Sequence, residues 1–249
     1  MAYGVCAVAS KFLALWIDFG DTLSDRELVN GTLWSLILAA LIAALRPLRE
    51  SIPAWFSTPR SPMRVSDIVI PALLITTFTL GVHRILIVMP MVHSNPEHYD
   101  FWRIASAYAP ATYADYAVLA LVTLVVAPLH EEVAFRGILL NVIRTGRSLA
   151  LAVAASSLLF GIMHGRNVVA AGFAGLVLAF VYLRHGSLWP AILVHVLANV
   201  IVFPPGIAQF TQLKTRAQAQ SYEGWFFEFL FAALFIPLAF AFWRRFRPY

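Results

Sequence analysis

The sequence predicts an all-α fold, a polytopic transmembrane bundle of about eight helices. Three observations carry that prediction. Of 249 residues, 60% are hydrophobic and only 12% are charged, about half the charged share of an ordinary soluble domain. The mean hydropathy is +0.76. The apolar residues also fall in runs close to the roughly 20 residues that cross a bilayer, joined by short polar connections. A net charge of +5 arises from basic residues in short clusters between those runs, the pattern of topology and headgroup signals rather than of nucleic-acid binding. Cys6 is the single cysteine, which excludes an intramolecular disulfide, a multi-cysteine metal site and a CxxC redox motif.

Taken in order, the apolar runs are 2–17, 28–45, 68–92, 114–143, 149–164, 168–183, 188–203 and 225–243. The first is short and holds Lys11; without a basic leader or a small-residue cleavage site it reads as an anchor, not a signal peptide. The Pro-rich stretch Ile52–Pro62 reads as a loop. His83 and Arg84 interrupt the third run; the functional reading is a cavity-lining or substrate-carboxylate contact, and the favoured one is an end or break of the span where the pair snorkels or packs internally. Asn167 is placed to N-cap the sixth run, in which Ala170, Ala171, Gly172, Ala174 and Gly175 favour close helix packing. Trp189, Trp225 and Trp243 stand near span ends, as interfacial aromatics do.

Loop charge predicts the orientation. Arg46, Arg49, Arg60 and Arg64 follow the second run, Arg144 and Arg147 the fourth, Arg184 the sixth, and Arg244, Arg245 and Arg247 the eighth. These are alternate connections, so they share one side, and the opposite side carries Asp18, Asp21, Asp25, Glu27, Glu97 and Asp100. The positive-inside rule then places both termini in the cytoplasm of a multi-pass cell-membrane protein.

An ionisable side chain near the bilayer centre costs about 2.5–3.5 kcal/mol on insertion scales, so each one is expected to be functional or paired. Here they concentrate in three runs. The fourth contains His130, Glu131, Glu132 and Arg136; the fifth ends with Phe160 and His164; the seventh contains His195 and Asn199. At 100° per residue Glu132 and Arg136 lie on one helix face, spaced for an ion pair, and Glu131 points elsewhere, free for chemistry. Phe160 and His164 share a face, as do His195 and Asn199. Counting about 1.5 Å per residue puts Glu131 and His164 roughly 20–25 Å from the Arg-bearing ends of their helices and His195 roughly 12 Å, a mismatch that helix tilt must absorb if they meet. A purely structural ion-pair network is the competing reading of these residues.

Several chemistries compete for this set. A zinc protease of the HExxH type needs a second histidine where Ala134 stands, although two histidines and the glutamates could still hold zinc as a minority alternative. Ser156 and Ser157 lie about two turns before His164 with no base one turn away, which disfavours a serine nucleophile. Asp67, Asp100 and Asp115 fall at helix ends or in loops, which disfavours an aspartyl pair. His130 points off the glutamate faces. A transporter or other non-enzymatic binding or immunity protein remains the alternative class, though the internal repeats typical of transporters are not visible. Water activated by Glu and His, with a His–Asn pair donating to a developing oxyanion, suits amide hydrolysis.

The motifs resemble those of the CPBP family of intramembrane endopeptidases, which includes the type II CAAX prenyl proteases. EExxxR is matched by Glu131, Glu132 and Arg136, FxxxH by Phe160 and His164, and HxxxN by His195 and Asn199; Gly186–Pro190 just upstream of the third is also family-like. The resemblance covers roughly residues 113–203, and implies an N-terminal region over 1–112 without motif, a catalytic helical core 113–203, and a C-terminal helix with basic tail 204–249. It further implies Glu131 and His164 as the water-activating pair, His195 and Asn199 as oxyanion stabilisers, and Glu132 with Arg136 as a supporting pair. It implies no cofactor and no metal. The expected partners are the bilayer and a membrane-anchored protein or peptide substrate, with no nucleic acid.

Overall fold

In the computed structural model, residues 23–94, 113–202 and 225–246 are described. The 2–17 run with Cys6 and Lys11, as well as Asp18, Asp21, Glu97, Asp100 and Arg247, lies outside them. The described residues form helices and short connections: α1 Leu23–Ala44, α2 Arg46–Trp55, α3 Val65–Ser94, α4 over 113–146, α5 Leu149–Met163, α6 Val168–His185, α7 Leu188–Val202 and α8 Phe226–Phe246. An all-α membrane bundle is the fold. Among the described residues, four helices are long and apolar enough to cross a bilayer: α3, most of α4 (Tyr116–Gly146), α6 and α8. At 15 residues each, α5 and α7 reach only about 22 Å, short of a hydrocarbon core of about 30 Å.

Three details differ from the sequence reading. The stretch expected to be a loop from Ile52 is helical as far as Trp55, because α2 begins with a proline in its first turn, tolerates Pro53, and seals Trp55 against Gly137 of α4. His83 and Arg84 do not end the third run, since the helix continues to Ser94, but they do pack internally as expected: both are buried, and Arg84 Nε lies 3.4 Å from the buried Glu228 Oε1 of α8. Trp225 is not an interfacial ring but is buried against Val88, Met89 and Val92. Trp189 and Trp243 are exposed.

Prolines shape the two longest helices. In α3 the turns Phe78–Val82 and Arg84–Val88 are π-helical, and so are Val122–Val126 and Val133–Leu140 in α4. The wide turns at 84–88 and 122–126 run directly into Met89-Pro90 and Ala127-Pro128. A proline lacks an N–H and its ring collides with the carbonyl four residues back; widening the turn relieves the collision.

Small residues let α5 and α6 approach closely. A Cβ placed on Gly161 would lie 2.4 Å from the Val168 carbonyl oxygen and 3.0 Å from the Gly172 nitrogen, so these backbones touch, as the run of small residues predicted. At one end of the bundle the Arg-bearing connections meet. Arg60 N–H donates to the His185 carbonyl (2.8 Å), Ser61 Oγ lies 3.1 Å from His185 Nδ1, Arg184 donates to the Arg245 carbonyl, and Arg245 pairs with Asp67. Asp67 also accepts from the Arg64 N–H at 2.8 Å, closing the first turn of α3.

Candidate active site

The glutamate pair sits on Ala127–Glu132, the regular stretch of α4 between its two π segments. Glu132 and Arg136 form the ion pair that their spacing predicts. Arg136 Nη1 donates to Glu132 Oε1 at 2.7 Å, and both side chains are buried. The guanidinium is held further by the Gly175 carbonyl of α6, 3.0 Å from Nη2, and lies 4.6 Å from the centre of the Phe160 ring on α5. A cation buried this deeply is tolerated because a carboxylate, a carbonyl and an aromatic face surround it.

Glu131, on the other side of α4, reaches two histidines from two other helices. Its Oε1 lies 3.9 Å from His164 Nε2 and its Oε2 lies 3.7 Å from His195 Nε2. Neither is a direct hydrogen bond at that length. The Glu131 side chain is 28% exposed and that of His164 33%, whereas Glu132 is sealed off, so the group left without a fixed cation is also the one that solvent reaches. The depth mismatch between the helices is partly closed by His164 itself: at the C-cap of α5, its ring folds back one turn and Nδ1–H donates to the Phe160 carbonyl at 2.7 Å. Phe160 packs under the whole group, with ring centres 4.5 Å from His164, 5.9 Å from His195 and 5.1 Å from Phe135.

His195 makes a second contact that sequence spacing does not reveal. Its Nδ1 lies 3.0 Å from Glu132 Oε1, so one glutamate oxygen joins Arg136 on its own helix to a histidine on α7. Asn199 does not join this cluster through its bonded N–H, which it donates to the Thr123 carbonyl of α4 at 2.9 Å. The reason lies in Pro128: the wide turn gives the Ala127 N–H to Val122, and the next donor, which Thr123 would use, is the proline that has none. The second amide N–H of Asn199 is not used by that bond.

Several other polar residues have structural partners. His130 Nε2 lies 3.2 Å from Ser35 Oγ of α1. Ser156 is buried and donates to the Phe135 carbonyl at 3.1 Å, and Ser157 is buried at the α5–α6 contact. Asn167 occupies the N-cap position of α6, but its side chain makes no capping bond. Asn141, at the end of the second π segment, donates to the carbonyls of Arg136 and Gly137 at 2.9 Å and to the Tyr182 hydroxyl at 2.8 Å. Among the described residues, no group of three or more His, Cys, Asp or Glu side chains is arranged to hold a metal ion.

Residues 113–201 match a family model described as type II CAAX prenyl endopeptidase, Rce1-like. No curated protein and no solved structure matches the chain. The matched stretch spans α4 to α7 and contains all three motifs, Glu131 to Arg136, Phe160 to His164 and His195 to Asn199. Over this stretch the chain is similar to the Rce1-like type II CAAX prenyl endopeptidases.

Proposed function

We infer that the protein is an intramembrane endopeptidase that cuts a peptide bond of a membrane-associated protein or peptide, using water activated between Glu131 and His164. The observation that carries this reading is the position of the Glu131 carboxylate, facing the Nε2 atoms of two histidines from separate helices at 3.9 and 3.7 Å in a solvent-reached spot. Because a carbonyl only accepts, the Phe160 bond puts a proton on His164 Nδ1, and Nε2 of the neutral ring is then an acceptor. Two acceptors 3.9 Å apart suit a water that gives one hydrogen to each. The water oxygen attacks the scissile carbonyl carbon, its proton passes to Glu131, and the carbonyl π electrons move to oxygen. His195 and the second N–H of Asn199 donate to that oxyanion. On collapse the C–N bond breaks, and the amine nitrogen takes the proton from Glu131. Glu132 and Arg136 hold the frame, and no metal or cofactor takes part. The Arg-rich end of the bundle is assigned to the cytoplasm, with both termini there.

Purified protein in detergent or nanodiscs, incubated with candidate membrane-anchored proteins or peptides from the same genome neighbourhood, tests this by mass spectrometry. A discrete new terminus produced by the wild type and missing with Glu131→Gln is expected. Cleavage by Glu131→Gln near the wild-type rate would remove Glu131 from the chemistry.

A further inference from the structure

The residues assigned to the chemistry share one depth in the bundle, and that depth is far from the Arg-bearing end. Glu131 stands 15 residues before Gly146, the last of α4, and His164 stands 15 residues after Leu149, the first of α5. At 1.5 Å per residue both lie about 20 Å from the Arg144–Arg147 turn that joins the two helices. α7 starts deeper than its neighbours, with Ser187 and Leu188 fully buried. A Cβ placed on Gly137 of α4 would lie 3.5 Å from Leu188 Cδ1, so the start of α7 is level with Gly137. Glu131 is six residues from Gly137 and His195 seven from Leu188, which brings His195 to the same level. Between that level and the Arg-bearing end the interior is filled: Phe135, Arg136 and Phe160 are buried, and the Trp55 ring of α2 would lie 3.2 Å from that same Cβ on Gly137. On the opposite side α5 stops at Met163, and Gly165, Asn167, Val168 and Val169, which follow His164, are exposed. The partly exposed side chains of Glu131 and His164 thus lie at the end of the bundle where α5 turns into α6.

We propose that the site takes its substrate from the leaflet opposite the Arg-rich end, so that its substrates are membrane-anchored chains cut on the extracytoplasmic side, just below that surface. This rests on the hydrolytic reading above and on the Arg-rich end being cytoplasmic. With the Arg144–Arg147 turn at one edge of a hydrocarbon core about 30 Å thick, a site about 20 Å in lies about 10 Å below the opposite edge. An extended strand covers that distance in about three residues, so an anchor helix need unwind only its last turn to reach Glu131. From the Arg-rich side a chain would have to cross about six extended residues' worth of packed side chains, with its N–H and C=O groups cut off from water. Leu129, Ile162 and Val168, which flank Glu131 and His164 in sequence, are apolar and exposed, a surface suited to the apolar residues of an anchor. A tail held at the Arg-rich face is outside this substrate class.

The test uses cells expressing the full-length chain with Cys6→Ser, so that each introduced cysteine is the single one. His164→Cys marks the site, Asn167→Cys the turn beside it, and Gly146→Cys, at a position with nothing within 4 Å, the Arg-rich end. A membrane-impermeant maleimide added outside is expected to label His164→Cys and Asn167→Cys in intact cells, and Gly146→Cys only after permeabilisation. Labelling of the site and of the Arg-rich end from the same side would overturn the route of entry, as would a folded His164→Cys that reacts from neither side. The reverse pattern, with Gly146→Cys labelled in intact cells and the other two only after permeabilisation, would overturn the extracytoplasmic assignment. Should His164→Cys fail to fold, Asn167→Cys decides. On any protein the wild type cuts, the new terminus should map within about three residues of the extracytoplasmic edge of the anchor; a cut in a cytoplasmic tail would overturn the substrate class. If labelling is as expected but no peptide is cut, the hydrolytic reading fails while the route of access stands.

Discussion

Replacing Arg136 by methionine isolates the electrostatic contribution to the α4 core. Methionine keeps most of the stem length and packs readily in irregular space, so little cavity is opened. Three interactions go: the 2.7 Å bond to Glu132, the 3.0 Å bond to the Gly175 carbonyl, and the contact with the Phe160 ring at 4.6 Å. The ring contact contributes about 0.5–2 kcal/mol, and a carbonyl left unpaired costs about 1–3 kcal/mol. The heaviest loss falls on Glu132, fully buried and stripped of its cation, for which breaking one side of a buried pair costs about 3–5 kcal/mol. These costs overlap, and His195 Nδ1 still reaches Glu132 Oε1 at 3.0 Å, so the expected loss is about 3–5 kcal/mol in all. Denaturant unfolding in detergent, followed by circular dichroism, reads it. The decisive comparison is Arg136→Met with Glu132→Gln in one chain: removing both charges should cost less than removing the cation alone. A loss below about 1 kcal/mol for Arg136→Met, or full additivity in the double variant, would refute the argument that a stranded carboxylate dominates.

Other outcomes follow from the same geometry. Glu131→Gln should lower cleavage by at least about 10²–10³-fold, with unfolding unchanged, since Glu131 holds no other group in place. Ser156→Ala should cost about 1–3 kcal/mol by leaving the Phe135 carbonyl unpaired, yet retain hydrolysis in the mass-spectrometric assay; an inactive but stable variant would revive the serine reading. Gly161→Ala pushes a methyl into the Val168 carbonyl and should destabilise by about 1–3 kcal/mol. Gly146→Ala, which meets nothing within 4 Å, should stay within about 0.5 kcal/mol of wild type. Cleavage should survive exhaustive chelation; stoichiometric zinc whose removal abolishes activity and whose return restores it would move the site to metal-assisted hydrolysis.

What the sequence made legible here is local. Hydropathy located seven of the helices now seen, and 100° spacing placed Glu132 beside Arg136 and turned Glu131 away. The motifs also singled out three helices whose polar side chains meet around Glu131. What it could not supply are the contacts that join distant stretches of the chain. No periodicity links Glu132 to His195, 63 positions apart, or Arg84 to Glu228. Glu228 went unnoticed because a single acid near the start of an apolar run looks like an interfacial residue; its signal was the buried cation that needed a partner. The two wide turns that run into Pro90 and Pro128 were readable in principle, since a proline in mid-span removes a donor, and Asn199 then had a vacancy at Thr123 to fill. Trp225 was misplaced because position near a span end says nothing about which way a ring points.

Each wide turn in α4 is in effect one extra residue stored within a helix. Deleting a residue from Val133–Leu140 would let that stretch relax toward ordinary α geometry with its flanks nearly in phase, whereas deleting one from the regular stretch Ala127–Glu132 would rotate everything on one side by about 100° and shift it by about 1.5 Å. The carbonyls that meet Ser156 and Asn141 lie on Val133–Leu140, and the Thr123 carbonyl that meets Asn199 lies just before the glutamates. Those bonds tie α4 to α5 and α7 at fixed heights, while Asn141 also ties it to Tyr182 of α6. The bearing of Glu131 toward its two histidines is therefore a property of the phase of the whole helix. A residue deleted where no wide turn can absorb the loss would misaim them as surely as replacing one.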